Sequence, residues 1–170
     1  MQTSYFVWWF SRPPVVRCEH IEGTGILLMH ADAPFTVDHA LAFDRSVARG
    51  ERPDLELDRP TLLDIRNLRL GRIPPTDVFR YVIRRRAMSG LPKPGALAIV
   101  CGDIGTMGVL RLFGVVAHMS HLREEQLLLV TFDMSEAVAF LADHAGLAEE
   151  AHSVVLAHAA YANPYCVGSA

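Results

Sequence analysis

Three short apolar runs alternate along this chain with helix-length stretches of mixed polarity. The first is Thr61–Ile65, whose Leu62, Leu63 and Ile65 are apolar and whose Asp64, followed by Arg66, falls where the chain should emerge. The second is Ala96–Cys101, ending in Gly102-Asp103, and the third is Leu127–Phe132, ending in Asp133. Runs this short, rich in Leu, Ile and Val and bounded by polar turns, predict buried strands. Upstream, Val15–Ile21 and Gly25–His30 flank Glu22-Gly23-Thr24-Gly25, a hairpin-like pattern. Between the runs the period changes. Val37–Arg49 predicts a helix with Thr36 as its cap; Val37, Ala40, Leu41, Val47 and Ala48 share a face, Asp44 interrupts it and Phe43 lies off it. Pro74-Pro75-Thr76-Asp77 opens a helix with Val78, Phe79, Val82, Ile83 and Arg86 on one side, halted at Ser89-Gly90. Asp103 is placed to cap Ile104–Ser120, a helix apolar on more than one face, and Asp133 or Ser135 to cap Met134–His144. Glu149–Ala162 reads as a terminal helix.

Strands alternating with helices predict an α/β domain with a mostly parallel, mixed sheet of about five strands and helices packed on it. The expected division is an aromatic arm over 1–14, one α/β domain over 15–145, and a C-terminal helix and tail over 146–170. The arm carries Tyr5–Phe10, an apolar run too short to span a bilayer and lacking the basic flank of a signal peptide. Its two tryptophans suit a contact with a second subunit.

At 170 residues the chain is long enough for one sizeable core. A net charge of −3 gives no electrostatic case for nucleic acid. Cys18, Cys101 and Cys166 are far apart and odd in number, which fits a reducing cytoplasm and no structural metal. Cys101, within an apolar run, is expected to be a buried, inert thiol.

Candidate chemistry is sparse. Gly102-Asp103-Ile104-Gly105-Thr106-Met107-Gly108 follows a strand and opens a helix, the place where backbone amides cradle anions. The glycine spacing is not that of a dinucleotide fold, and Asp103 puts negative charge where a phosphate would sit. A helix cap with Gly105 and Gly108 allowing close packing is the simpler expectation. Asp64, Arg66 and Asp103 at neighbouring strand ends suit a polar ligand or a proton-transfer pair, or else a structural Asp–Arg pair. His118 and His121 begin a metal pattern without a third ligand. Within Arg84-Arg85-Arg86, Arg86 is expected at the edge of the core and the other two in solvent. No nucleophile elbow is present.

The succession LLDIRNL, then ALAIVCGDIGTMGVLRLF, then LLLVTFDMSEAVAFL resembles the bacterial STAS-like (SpoIIAA-like) domains over about residues 15–142. Gly108 and Arg111 match that family's Gly-then-Arg helix, and Phe132–Leu141 its last strand and helix. The resemblance implies a mixed, mostly parallel sheet and a non-enzymatic module that binds a partner or ligand. Relatives are switched by phosphorylation of a serine at a helix start. Here that region is Leu70–Asp77, where Thr76 is the only hydroxyl and a cap its simpler role.

The leading expectation is therefore a regulatory, self-associating interaction module without cofactor. Partner or ligand contacts are expected at Asp64, Arg66, Asp103, Gly105, Thr106 and Arg111, with Thr76 as the phosphorylation candidate. The alternatives are a carrier or sensor of a small apolar or lipid-like ligand, which needs a pocket beside the Gly102–Gly108 helix start, and an enzyme with a polar site at the strand ends.

Overall fold

The computed structural model describes residues 16–162 apart from 32 and 54. The aromatic arm 1–14 and the tail beyond 162 lie outside the described residues. Five strands, β1 (Val16–Ile21), β2 (Ile26–Ala31), β3 (Thr61–Ile65), β4 (Leu97–Cys101) and β5 (Leu128–Thr131), form one sheet in the order β1-β2-β3-β4-β5. β1 and β2 make the antiparallel hairpin, and β2 to β5 are parallel. Gly23 and Gly25 turn the hairpin at φ of 75° and 68°, left-handed values that a side chain would strain.

Five α-helices complete the domain: α1 (Val37–Ala48), α2 (Pro75–Arg86), α3 (Ile104–Met119), α4 (Met134–Ala145) and α5 (Glu149–Ala162). The sequence places most of these elements to within a residue or two, and α1, α3 and α4 carry explicit caps. Thr36 accepts from the His39 amide at 3.3 Å, and the His39 ring accepts in turn from the Thr36 amide. Asp103 caps α3, Asp133 caps α4, and Gly146 closes α4 in the left-handed conformation.

The strand order has a consequence for function. α1, α2 and α3 each link adjacent parallel strands. Right-handed crossovers between sequential neighbours put all three helices on one face. α1 packs on α2 and α2 on α3 across that face, while α4 covers β3, β4 and β5 from the other side, with α5 resting on α4. The order of the described parallel strands never reverses. The crevice that a reversal opens at the carboxyl ends of a doubly wound sheet is thus missing.

The two faces are filled differently. Toward α4 and α5, Leu28, Leu62, Ala98 and Val100 meet Ala137, Val138, Leu141, Val155 and Ala159, all close to full burial. Toward α1–α3, Ile65, Ile99, Cys101 and Met107 are buried as well, but Leu63, Leu97, Leu128 and Val130 are only partly so.

Several inward-facing residues depart from expectation. In α2 the stripe facing the sheet is Val78, Tyr81, Val82 and Arg85, at the i, i+3, i+4, i+7 spacing. Arg85 rather than Arg86 goes inward, its side chain 12% exposed. Phe79 and Ile83 turn outward, at 46% and 65% exposure. Thr76 is not a cap: Pro74 holds that position in an extended conformation, and Thr76 lies inside the first turn with its side chain exposed. In α1, Asp44 does not break the apolar face but is buried within it.

Candidate functional site

Of the polar residues at the carboxyl ends of the strands, Asp64 and Arg66 are brought together as a pair, and Asp103 stands apart from them. Asp64 points to the same face as its register partner Val100, toward α4. Its carboxylate is fully buried and accepts from Arg66 twice, from Nε at 3.0 Å and from Nη2 at 2.7 Å. The Arg66 backbone amide adds a third bond at 3.1 Å. His30, buried on the neighbouring strand, is the register partner of Asp64, a neighbour the sequence did not signal.

Asp103 belongs to the opposite face, at the start of α3. It accepts from the Thr106 amide at 3.0 Å and from the Thr106 hydroxyl at 2.6 Å. Thr106, itself fully buried, accepts from the Leu70 amide at 2.9 Å. This chain of bonds pins the α3 start to the β3–α2 loop. Arg69 lies 3.6 Å from Asp103. The Thr106 bonds, with help from Arg69, hold the Asp103 carboxyl below the usual range. Gly105 meets Gly71 closely enough that a Cβ at position 71 would stand 3.0 Å from the Gly105 Cα. At Gly102 a Cβ would run into the Arg66 carbonyl, whereas Gly108 faces open space and serves no close packing. Arg111 is exposed on the outer side of α3. These residues act as fasteners, and the geometry gives Asp64 and Asp103 no common pocket.

His118 and His121 are both exposed, and no metal-ligating cluster occurs among the described residues. Cys101 is buried and its thiol donates to the Thr131 carbonyl at 3.5 Å. Burial, reinforced by Asp103, pushes the thiol upward, so it stays protonated and unreactive.

The concave feature lies elsewhere, between the sheet and α1–α3. A cavity of about 210 Å³ runs under all three helices. Met29, Leu63 and Ile99 form its floor, and Phe35, Phe43 and Phe113 stand among its walls. Phe43, off the predicted face of α1, is therefore a lining residue. The space exceeds the roughly 150 Å³ engineered apolar cavity that takes up benzene.

Its polar end sits where the parallel strands begin, because helices that return to a parallel sheet run opposite to the strands. α1 and α2 bring Asp44, Tyr81 and Arg85 there, and the loop before β5 brings Arg123. Asp44 accepts from the Tyr81 hydroxyl at 2.9 Å and from the Arg85 guanidinium. Burial raises the Tyr81 phenol, with Asp44 adding to the effect, so Tyr81 remains a neutral donor. Burial opposes the charge on Arg85, but Tyr81 and Asp44 together outweigh it, and Arg85 is held protonated. Tyr81 also stacks obliquely against Phe113, ring centres 5.9 Å apart. Arg123 donates to the carbonyls of Gly95 and Leu127, the latter at 3.3 Å. Burial, and then the charge on Arg85, push Arg123 down to about 10. It remains a cation at neutral pH.

Among the described residues no helix is long and apolar enough to cross a membrane. No protein-family model matches the chain, and no curated protein or solved structure matches it.

Proposed function

We propose that this chain is a binding domain, a carrier or sensor, for a small and mostly apolar ligand held between the sheet and α1–α3. The cavity of about 210 Å³ carries the reading. Pockets for small molecules are concave, mostly apolar and furnished with a few convergent polar groups, and this one is all three. The mixed, mostly parallel sheet is what the STAS-like resemblance implies, and that kinship is part of the proposal. The pocket differs in place from the expected one, because its polar groups gather at the opposite end of the sheet from the Gly102–Gly108 helix start. An enzyme at the strand ends has less support, since Asp64 and Asp103 sit on opposite faces.

The test is titration with an environment-sensitive apolar dye, alongside native mass spectrometry of protein taken from cells. Wild type is expected to bind dye at one site, and Ala40→Phe, which fills the cavity from α1, to lose that binding while keeping its circular dichroism spectrum. Dye binding unaffected by Ala40→Phe would place the dye elsewhere and remove the proposal.

The outer side of α2 and α3 favours a second reading, the self-associating interaction module. Phe79, Ile83, Val115 and Met119 are all at least 46% exposed. Exposed apolar side chains on two neighbouring helices suit a protein contact where they adjoin. Sedimentation that gives a monomer at all concentrations would remove this second reading.

A further inference from the structure

We propose that the ligand is an amphipathic acid, a medium-length chain or ring carrying one carboxylate, with that carboxylate docked on Arg123. This rests on the cavity being a ligand site, as argued above. The inference comes from a count of charge at the polar end.

Two guanidiniums and one carboxylate line that end: Arg85, Arg123 and Asp44. Asp44 is bonded to Arg85 and to Tyr81. No carboxylate among the described residues pairs with Arg123. Its partners, the carbonyls of Gly95 and Leu127, are neutral acceptors. One positive charge is therefore left over beside an apolar space. A buried charge without a counter-charge is costly, and this cost is what a bound anion would remove. The depression of Arg123 by its own burial and by Arg85 points the same way, since a negative group at this spot would relieve both.

The chemistry of the anion follows from the surroundings. A guanidinium matches the two oxygens of a carboxylate in a planar fork. A surplus of one charge suits a carboxylate better than a phosphate monoester, which carries about −1.5 to −2 at neutral pH. Beyond Arg123 the floor is Leu97, Leu63 and Ile99, leading toward Phe35 at the far end of the sheet. That floor offers no polar partner to a second head group, so the rest of the ligand is hydrocarbon.

The experiment compares octanoate, 1-octanol and octyl phosphate by isothermal titration calorimetry, on wild type and on Arg123→Met, which keeps the bulk but not the charge. Octanoate is expected to bind wild type about tenfold or more tightly than 1-octanol, the worth of a charge-assisted bond in a dry site. In Arg123→Met the preference for octanoate over 1-octanol should disappear. If Arg123→Met does not fold, the acid-to-alcohol preference of wild type decides by itself. Equal binding of octanoate and 1-octanol would overturn the carboxylate inference and leave the apolar site standing. Tighter binding of octyl phosphate would overturn it in favour of a doubly charged head group. Failure of all three to bind, in protein that also rejects the apolar dye, would remove the site itself.

Discussion

The two faces of the sheet are built from the same kinds of residue, and only the one under α1–α3 encloses a cavity of about 210 Å³. On one, Leu62, Ala98 and Val100 are covered by α4, whose Ala137 and Ala142 let it approach closely, and all five are fully buried. On the other, three helices span the strands and lean on each other, and space remains beneath them. The difference lies in what the inward stripe of each helix carries. α4 presents Ala137, Val138 and Leu141. α1 and α2 present Asp44, Tyr81 and Arg85, which satisfy one another across the helix pair instead of filling the gap below. A sealed face contributes stability. A face whose polar groups are spent on one another gives up part of that contribution and leaves space beneath its helices.

The largest expected effect breaks the polar bridge. Asp44→Ala leaves Arg85 buried beside Arg123 with no counter-charge, and removing one partner of a buried pair typically costs about 3–5 kcal/mol. Urea denaturation should show a loss of that order. A loss below about 1 kcal/mol would mean that water already reaches the pair and that the polar end is open rather than buried.

A smaller effect compares the faces directly. Leu62 and Leu63 are adjacent in β3 and point to opposite sides. Leu62→Ala opens a void in the sealed face and should cost about 2–5 kcal/mol. Leu63 is only partly buried and already borders the cavity, so Leu63→Ala should cost under about 2 kcal/mol and leave dye binding intact or stronger. Equal losses would show that the α1–α3 face is as tightly packed in solution as its opposite.

Most elements were legible in the sequence because their signals are local. Thr36, Asp103, Asp133 and Gly146 mark helix ends by hydrogen bonds made within a few residues. The hollow was not legible. Periodicity assigns a side chain to a face but says nothing of how far a helix stands from the sheet. Asp44 appeared as a flaw in an apolar stripe and Arg85 as one of three arginines. Their meeting depends on residues 41 apart in the chain. A charged residue in the middle of an otherwise apolar face was the one available signal, and α2 answers it with Tyr81 and Arg85 at the same phase. Asp64, Arg66 and Asp103 are conspicuous in the sequence, but they stand at strand ends that a non-reversing sheet leaves without a crevice.

The smallest effect concerns what holds α3 over the hollow. α3 is fastened at its start, where Asp103 binds Thr106 and Thr106 binds the Leu70 amide. Asp103 has a folded pKa below its unfolded value of about 3.9. Its charge therefore adds stability at every pH above that unfolded value, and the contribution drains away as pH falls through the folded one. Asp103→Asn keeps a capping side chain and removes only the charge. Wild type should melt slightly higher than Asp103→Asn at neutral pH, and the two curves should converge as the solution is acidified below about pH 4. Convergence would identify the charge on this fastener as a contributor to the α1–α3 face. A gap that persists unchanged in acid would assign the difference to hydrogen-bond geometry at the cap, with the charge playing no part.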